Sequence, residues 1–278
     1  MTEFFESLSY SFLQRALIVG TLISLCSALL GVSLVLKRYS LIGDGLSHVG
    51  FGALAVAAAM GLAPLSVAVP VVIIASVLLL RLNTNSKLKG DSAIGIISTA
   101  ALAIGVIIVS VTGTNTDLSN YMFGSILSIS KCDTVLSIIL SAVIALLYVL
   151  FYHRIFAVTF DEDFARATGT KVSVFNTLLA VLTSVTVVIG MRMMGTLLVS
   201  ALIIFPPVSA ARLCKTFKSV TVASVVISVF SFWTGLFLSF ELSFPTGATV
   251  VLTNLCVMLL SFALRKLKDT IKRKSASA

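Results

Sequence analysis

The sequence is short of charge, and above all of acidic side chains. Of its 278 residues, 20 are Lys or Arg, 11 are Asp or Glu and 2 are His. The charged share is 11%, whereas about a quarter of the residues of a soluble domain are charged. Hydrophobic residues make up 58% of the chain and the mean hydropathy is +1.11. This composition excludes a soluble globular protein and predicts an all-α, polytopic membrane protein whose apolar runs are long enough to span a bilayer.

Several chemical motifs are also missing. No G-x-x-x-x-G-K-[ST] loop occurs, so nothing in the chain resembles an ATP site. No HExxH motif occurs either, which argues against an intramembrane metalloprotease. The four cysteines are scattered without a CxxC pair, so neither a disulfide framework nor a thiolate metal site is expected. The net charge of +9 is better explained by loop charges that set membrane topology than by nucleic-acid binding.

Charge-free apolar runs predict eight or nine membrane helices in a single domain, residues 1–278. The predicted spans are 16–36, 40–61, 65–80, 92–111, 134–152, 172–190, 193–211, 219–240 and 246–264. Lys and Arg are concentrated in alternate loops and in the basic tail 265–278. By the positive-inside rule we expect a cytoplasmic carboxyl terminus and an extracytoplasmic segment 1–15. That segment is acidic and lacks a basic n-region, so it is not expected to be a cleaved signal peptide.

Two ionisable side chains, Asp44 and His48, lie inside an apolar stretch that reads RYSLIGDGLSHVGFGALA. Residues four apart face the same side of a helix. An aspartate at the bilayer centre costs about 2.5–3.5 kcal/mol on insertion scales, and such a group marks an ion or substrate path by default. We expect His48 near the middle of the membrane. A carboxylate and a neutral imidazole are good ligands for Zn²⁺, Mn²⁺ or Fe²⁺. Two ligands are few for a dication, but a second copy of the chain related by a two-fold axis would supply two Asp and two His.

The spacing alone leaves other roles open for this pair. His48 could donate a hydrogen bond to a backbone carbonyl in a packed bundle. Asp44 could cap the start of its helix through its carboxylate. The two groups could also carry protons, with Asp44 titrating in a secondary transporter.

Two consecutive prolines, Pro206 and Pro207, lie inside the seventh predicted span. Proline removes a backbone donor and clashes with the preceding turn of a helix. We therefore expect the helix to bend or break here. A flexing element that lines the path and a fixed kink that aids packing are both compatible with this pattern.

Four stretches of the chain carry a family resemblance: 38–55 (RYSLIGDGLSHVGFGALA), 160–170 (FDEDFARATGT), 195–213 (GTLLVSALIIFPPVSAARL) and 244–252 (FPTGATVVL). They resemble, in this order, the signature, the cytoplasmic loop segment, the late-helix motif and the start of the last helix of the ABC-3 family. This family comprises the membrane permeases of bacterial ATP-binding-cassette importers for zinc, manganese and iron. The order, the spacing and the total length match over nearly the whole chain.

The resemblance implies an ABC-importer permease fold in a bacterial plasma membrane, with two permease copies enclosing one translocation path. It implies a separate cytoplasmic ATPase, which uses the ATP, and an extracytoplasmic metal-binding protein as partners, with membrane lipid around the chain. The chain itself is then not an enzyme and holds no permanent cofactor, because the metal is cargo. Asp44 and His48 match the residues that the family uses for metal binding.

The segment 155–171 resembles the family's cytoplasmic coupling loop, which implies a helix that binds in a cleft of the ATPase. The sequence places Phe160 and Phe164 on one helical face at i, i+4, and Gly169 is expected to end the helix. The residues expected to take part in coupling are Phe160, Asp161, Glu162, Phe164, Ala165 and Gly169.

The function expected from the sequence is the permease subunit of an ATP-driven divalent metal importer that works by alternating access. Zinc is favoured because an Asp/His ligand set suits it, with manganese and iron open. The alternative is a proton- or ion-coupled secondary metal transporter with Asp44 as the titrating group, which would need no ATPase.

Overall fold

The structure, a computed structural model, describes residues 10–85, 90–113, 124 and 129–276. All regular structure in these residues is α-helical. The helices are α1 Ser11–Leu36, α2 Ile42–Ala59, α3 Pro64–Asn85, α4 Gly90–Thr112, α5 Lys131–Leu150, α6 Tyr152–Phe160, α7 Glu162–Ala167, α8 Val172–Met194, α9 Thr196–Leu213, α10 Phe217–Leu242 and α11 Thr246–Ala276.

Eight of the described helices are long and apolar enough to cross a membrane: α1, α2, α4, α5, α8, α9, α10 and α11. A ninth apolar stretch, Pro64–Leu80, forms most of α3. The predicted all-α bundle with eight or nine membrane helices is therefore confirmed. The predicted extracytoplasmic segment 1–15 lies outside the described residues except for its last six, and the basic tail continues α11 as far as Ala276.

The centre of the bundle is α9, which contacts α1, α2, α8, α10 and α11. Most of its side chains are buried. The helices around it turn large apolar side chains outwards, as do Ile104 and Ile107 on α4 and Leu146 and Val149 on α5. Because these outward faces lack charge, they suit contact with lipid acyl chains.

Of the expected bend or break at Pro206 and Pro207, the break is wrong, since α9 runs without interruption from Thr196 to Leu213. Each proline removes one backbone hydrogen bond from α9. The helix nevertheless stays helical on both sides of the prolines and is surrounded by α1, α2, α8, α10 and α11. The carbonyl of Ile203, four residues before Pro207, faces Gly31 of α1, where a Cβ would lie 2.3 Å from that oxygen. Tight packing against α1 therefore holds α9 helical through the prolines.

Basic side chains meet at the end of the bundle that holds α6 and α7. There Lys37 pairs with Glu162, and Arg265 donates to the backbone carbonyl of Arg212 at 3.3 Å. At the opposite end Arg192 of α8 pairs with Asp133 of α5 at 3.3 Å. The two ends are thus chemically distinct, and the assignment of the first to the cytoplasm stays a prediction of the positive-inside rule.

Native cysteines at the two ends test this orientation. Cys132 is exposed at the start of α5, and Cys214 is partly exposed after α9, at the end that carries α7. In variants that keep only one of these cysteines, a membrane-impermeant maleimide should label Cys132 in intact cells. It should label Cys214 only after the membrane is permeabilised. Labelling of Cys214 together with protection of Cys132 in intact cells would show that the orientation is the reverse of the predicted one.

Candidate metal site and coupling segment

The side chains of Asp44 and His48 lie side by side on α2. The Asp44 Oδ2 and His48 Nε2 atoms are 3.6 Å apart, an ion-pair distance rather than a hydrogen bond. The hydroxyl of Ser200 on α9 donates to Asp44 Oδ1 at 3.4 Å. The predicted pair is thus brought together as the spacing required, and Ser200 joins it from the central helix.

Two glycines that flank Asp44 allow α2 to lie close to its neighbours. A Cβ on Gly43 would lie 2.8 Å from Ile203 of α9, and one on Gly45 would lie 2.5 Å from Ile94 of α4. Side chains at these positions would therefore push the helices apart. Because α2 is enclosed on both sides, Asp44 is directed to the remaining face.

That remaining face is the half-exposed side of α2. The Asp44 side chain is 50% exposed and that of His48 is 28% exposed, whereas Leu46 between them is fully buried. A carboxylate and an imidazole are therefore accessible together on an otherwise buried helix.

The helix begins later than the sequence suggested. α2 starts at Ile42, after a turn in which Arg38 has a φ of 63°. Asp44 consequently lies in the first helical turn, and His48 is roughly 9 Å from the helix start at 1.5 Å per residue. Measured along α2, the pair therefore lies closer to the helix start, at the end that holds α7, than the sequence suggested, and the depth of His48 in the membrane stays a prediction.

Two of the alternative roles are not supported by these contacts. The N-cap of α2 is Leu41, without a side-chain cap, so Asp44 does not cap the helix. Within the described residues, the His48 ring makes no hydrogen bond to a backbone carbonyl and faces Asp44 instead. A negative charge in the first turn is in addition favoured by the helix dipole.

One chain offers two ligand side chains at this place. Among the residues that the structure describes, no group of three or more His, Cys, Asp or Glu side chains is arranged to hold a metal. A tetrahedral zinc site has four ligands. The pair is chemically suited to a divalent transition metal, as half of a ligand set.

The coupling segment is divided into two helices, contrary to the single helical face expected for Phe160 and Phe164. Phe160 ends α6, and Asp161 is extended, with φ −150° and ψ 102°, before α7 begins. The Asp161 carboxylate accepts a hydrogen bond from the Phe164 N–H at 2.9 Å and caps α7. An N-cap aspartate needs this extended backbone, so it separates the two helices. Both phenylalanines are nevertheless exposed, by 61% and 64%.

The short helix α7 is anchored by its inner face and ends sharply. Ala165 is fully buried against Val158 of α6 and Val172 of α8. Gly169, with φ +81°, donates to the Arg166 carbonyl at 3.1 Å, and Thr170 donates to the Ala165 carbonyl at 2.9 Å. This is a Schellman ending, which favours glycine at the left-handed position. The helix therefore ends at the glycine named from the sequence.

Three side chains that the sequence did not connect meet beside α7. The Lys37 ammonium is 2.7 Å from Glu162 Oε1 and also donates to Asn176 Oδ1, while Asn176 Nδ2 donates to Glu162 Oε1 at 3.1 Å. The Lys37 side chain is only 7% exposed. We call these residues the Lys37–Glu162–Asn176 triad. The sequence alone does not indicate it, because Lys37 is one of many loop cations and Asn176 is 139 residues further along the chain.

The triad affects the titration of Glu162. Partial burial raises the pKa of this carboxyl, but the hydrogen bonds from Lys37 and Asn176 outweigh burial and hold the pKa below its usual value. Glu162 is accordingly charged at neutral pH, and the pair is an ion pair. Removing Glu162 leaves the enclosed Lys37 ammonium uncompensated, which costs up to about 3–5 kcal/mol in a fully buried pair and less here, because water reaches the 31% exposed Glu162 side chain.

Comparisons with known proteins cover nearly the whole chain. The family model described as the ABC 3 transport family matches residues 9–265. The manganese import system permease protein ScaB of Streptococcus gordonii is 31% identical over 273 residues, covering 98% of each chain. A probable iron transport system membrane protein of Haemophilus influenzae is 31% identical, with 95% of this chain and 97% of that one covered. A chain of the solved structure of PsaBC from Streptococcus pneumoniae in complex with Fab is 31% identical and gives a TM-score of 0.84, with 94% and 95% covered.

The close approach of α2 to α4 generates a test of how Asp44 is held. In Gly45→Ala, the new Cβ meets the stiff Ile94 side chain, so we expect a loss of stability of about 1–3 kcal/mol from overpacking and a lower unfolding temperature in detergent. The matched control is Gly95→Ala on α4, where a Cβ would meet nothing within 4 Å. The Gly95→Ala change should be neutral or slightly stabilising, since alanine is about 1 kcal/mol more favourable than glycine in a helix. Equal behaviour of the two variants would contradict the tight packing of α2.

Proposed function

We propose that this chain, which belongs to the ABC 3 transport family, is the membrane-spanning subunit of an ATP-driven importer of a divalent metal ion. The observation that carries the proposal is the pairing of Asp44 with His48 on the half-exposed side of α2. A carboxylate and an imidazole beside each other in a membrane bundle are costly to keep, and such groups mark an ion or substrate path by default. The homologues, which are named for manganese import and iron transport, supply the cargo class.

A second copy of the chain is the best cover for this face. Lipid tails cannot hydrate the exposed half of the Asp44 carboxylate. A two-fold axis beside α2 would bring two Asp44 and two His48 side chains together, which makes four ligands for one ion. Ligands divided between two chains also assemble and separate as the chains move, so the site can release its ion. We therefore propose a permease dimer with the ion between its two copies.

Manganese is the proposed cargo, ahead of the zinc that the ligand types alone favoured. ScaB is named for manganese import and the Haemophilus influenzae relative for iron transport. A given nitrogen and oxygen site binds Zn²⁺ more tightly than Mn²⁺ or Fe²⁺, so binding strength does not identify the cargo. Uptake of each metal, measured with the others as competitors, does identify it.

The coupling role of α7 rests on its exposed side. Phe164 presents its aromatic ring outward while Ala165 fixes the helix to α6 and α8, and Phe160 is exposed nearby at the end of α6. A helix that transmits movement from an ATPase must be attached firmly to the rest of the permease on one side. On the other side it must expose an apolar surface to the ATPase. We propose that this helix binds the cytoplasmic ATPase and that a metal-binding protein delivers the ion at the opposite end of the bundle. ATP binding and hydrolysis then open the site alternately to the two sides of the membrane.

The metal pair is tested by removing each ligand. Asp44→Ala and His48→Ala should each lower Mn²⁺ uptake at least about tenfold, because even residues one shell beyond a metal cost about 10–100-fold when removed. Uptake of the isotope into cells, with the amount of assembled transporter measured in parallel, gives the result.

The chain supplies a matched control for this test. His153, its other histidine, is exposed on α6, and His153→Ala should leave uptake unchanged. Normal uptake in Asp44→Ala or His48→Ala would remove the pair from the transport path. Equal loss in His153→Ala would show that the assay reports general damage.

The docking of the ATPase is tested at Phe164. In Phe164→Ala, the ATPase should bind the permease at least about 1 kcal/mol more weakly, or roughly fivefold, because buried aromatic anchors dominate protein interfaces. The measurement is the affinity of the purified ATPase for the permease in detergent. Phe230→Ala is the matched control, since this phenylalanine is 58% exposed on the outer face of α10.

The purified permease, reconstituted into proteoliposomes, distinguishes the proposed function from that of a secondary transporter. Proteoliposomes that contain the permease without an ATPase should take up no metal under a proton gradient. Gradient-driven uptake there, together with unchanged ATPase affinity in Phe164→Ala, would favour ion-coupled transport with Asp44 as the titrating group.

A further inference from the structure

The Lys37–Glu162–Asn176 triad connects the two regions on which the proposed transport depends. Glu162 is the first residue of α7, whose outer side carries Phe164. Lys37 directly follows α1 and precedes the turn at Arg38 that leads into α2. One ion pair therefore joins the coupling helix to the segment from which Asp44 and His48 emerge.

The geometry makes this connection strong and specific. The Lys37 side chain is almost fully enclosed, at 7% exposed, so Glu162 and Asn176 replace the water that would otherwise surround its ammonium group. Asn176 holds both members at once, because its carbonyl accepts from Lys37 and its amide donates to Glu162. If α7 moves, Lys37 must either follow Glu162 or remain buried without its counter-charge, and the second outcome is strongly unfavourable.

The segment after Lys37 is built to change direction. Arg38 has a φ of 63°, in the left-handed region that non-glycine residues rarely adopt. The chain turns there through hydrogen bonds of Arg38 N–H to the Val35 carbonyl and Tyr39 N–H to the Leu34 carbonyl. A pull on Lys37 thus acts at the point where α1 passes into α2.

We propose that the Lys37–Glu162–Asn176 triad transmits the movement of α7 to α2 and so links ATP hydrolysis to the opening of the Asp44–His48 site. The proposal rests on the proposed function. Lys37 and Glu162 are positioning residues, since they contact neither the ion nor the nucleotide. A triad that only stabilised the fold would influence the amount of assembled protein and leave the coupling between hydrolysis and transport intact.

The experiment uses the full complex of permease, ATPase and metal-binding protein in proteoliposomes, with Mn²⁺ as the transported ion. ATP hydrolysis and Mn²⁺ uptake are measured in the same vesicles, and their ratio is the readout. In Lys37→Met and in Glu162→Gln the uptake per ATP hydrolysed should fall at least about fivefold, the lower end of usual coupling factors between sites. Lys215→Met, at an exposed lysine of the turn between α9 and α10, is the matched control and should keep the ratio.

Double variants show whether the two residues act as one unit. The combination of Lys37→Met with Glu162→Gln should be no worse than either change alone, because residues of one ion pair are not additive. The exchange Lys37→Glu with Glu162→Lys should restore part of the ratio, since it rebuilds the pair with reversed charge. Additive losses and no recovery on exchange would overturn the proposal.

The remaining outcomes are also decisive. An unchanged ratio in both single variants overturns the proposal. If the single variants do not assemble, Glu162→Asp decides, because it keeps the charge but shortens its reach: a normal ratio overturns the proposal and a lowered ratio supports it. Failure of the unmodified complex to move Mn²⁺ with ATP would instead refute the proposed function, so the two failures are distinguishable.

Discussion

A carboxylate and an imidazole must stay accessible within an apolar helix bundle. The packing of the helices around α2 meets this constraint. Asp44 and His48 remain half-exposed although α2 is otherwise enclosed. Gly43 and Gly45 make that enclosure possible, because they let α9 and α4 approach on either side of Asp44. The one open face is then the face that carries both side chains, and it is the face that we propose a second copy covers.

The fixed position of α9 supports the same site from within. This helix is central, it continues through Pro206 and Pro207, and it brings Ser200 to the Asp44 carboxylate. Ile203 and Pro207 both lie against Gly31 of α1, and the Ile203 side chain also lies against Gly43 of α2, so one continuous helix holds α1 and α2 together. The continuity of α9 and the placement of Asp44 are therefore parts of one packing arrangement, in which α2 is held by α9 on one side and by α4 on the other.

At the basic end, α7 combines exposure with attachment. Asp161 and Gly169 bound α7, Ala165 fixes it, and Phe164 remains free for a partner. Glu162 is turned inwards to Lys37, so the same six-residue helix faces both the outside of the protein and the turn that precedes α2. This short connection gives a physical route between the proposed ATPase contact and the proposed metal site.

The sequence by itself determined the membrane class, the number of spans, the shared face of Asp44 and His48, and the end of α7 at Gly169, because all of these depend on contacts within one helix or one turn. Only the tertiary structure decided that α9 continues through its prolines and that α2 begins at Ile42, whereas the N-cap at Asp161 that separates Phe160 from Phe164 is a local contact that the sequence analysis missed. The contacts of Ser200 with Asp44 and of Lys37 with Glu162 join residues far apart along the chain. No local pattern encodes them, since serine and lysine at a helix end have many possible partners and the packing of the helices selects one.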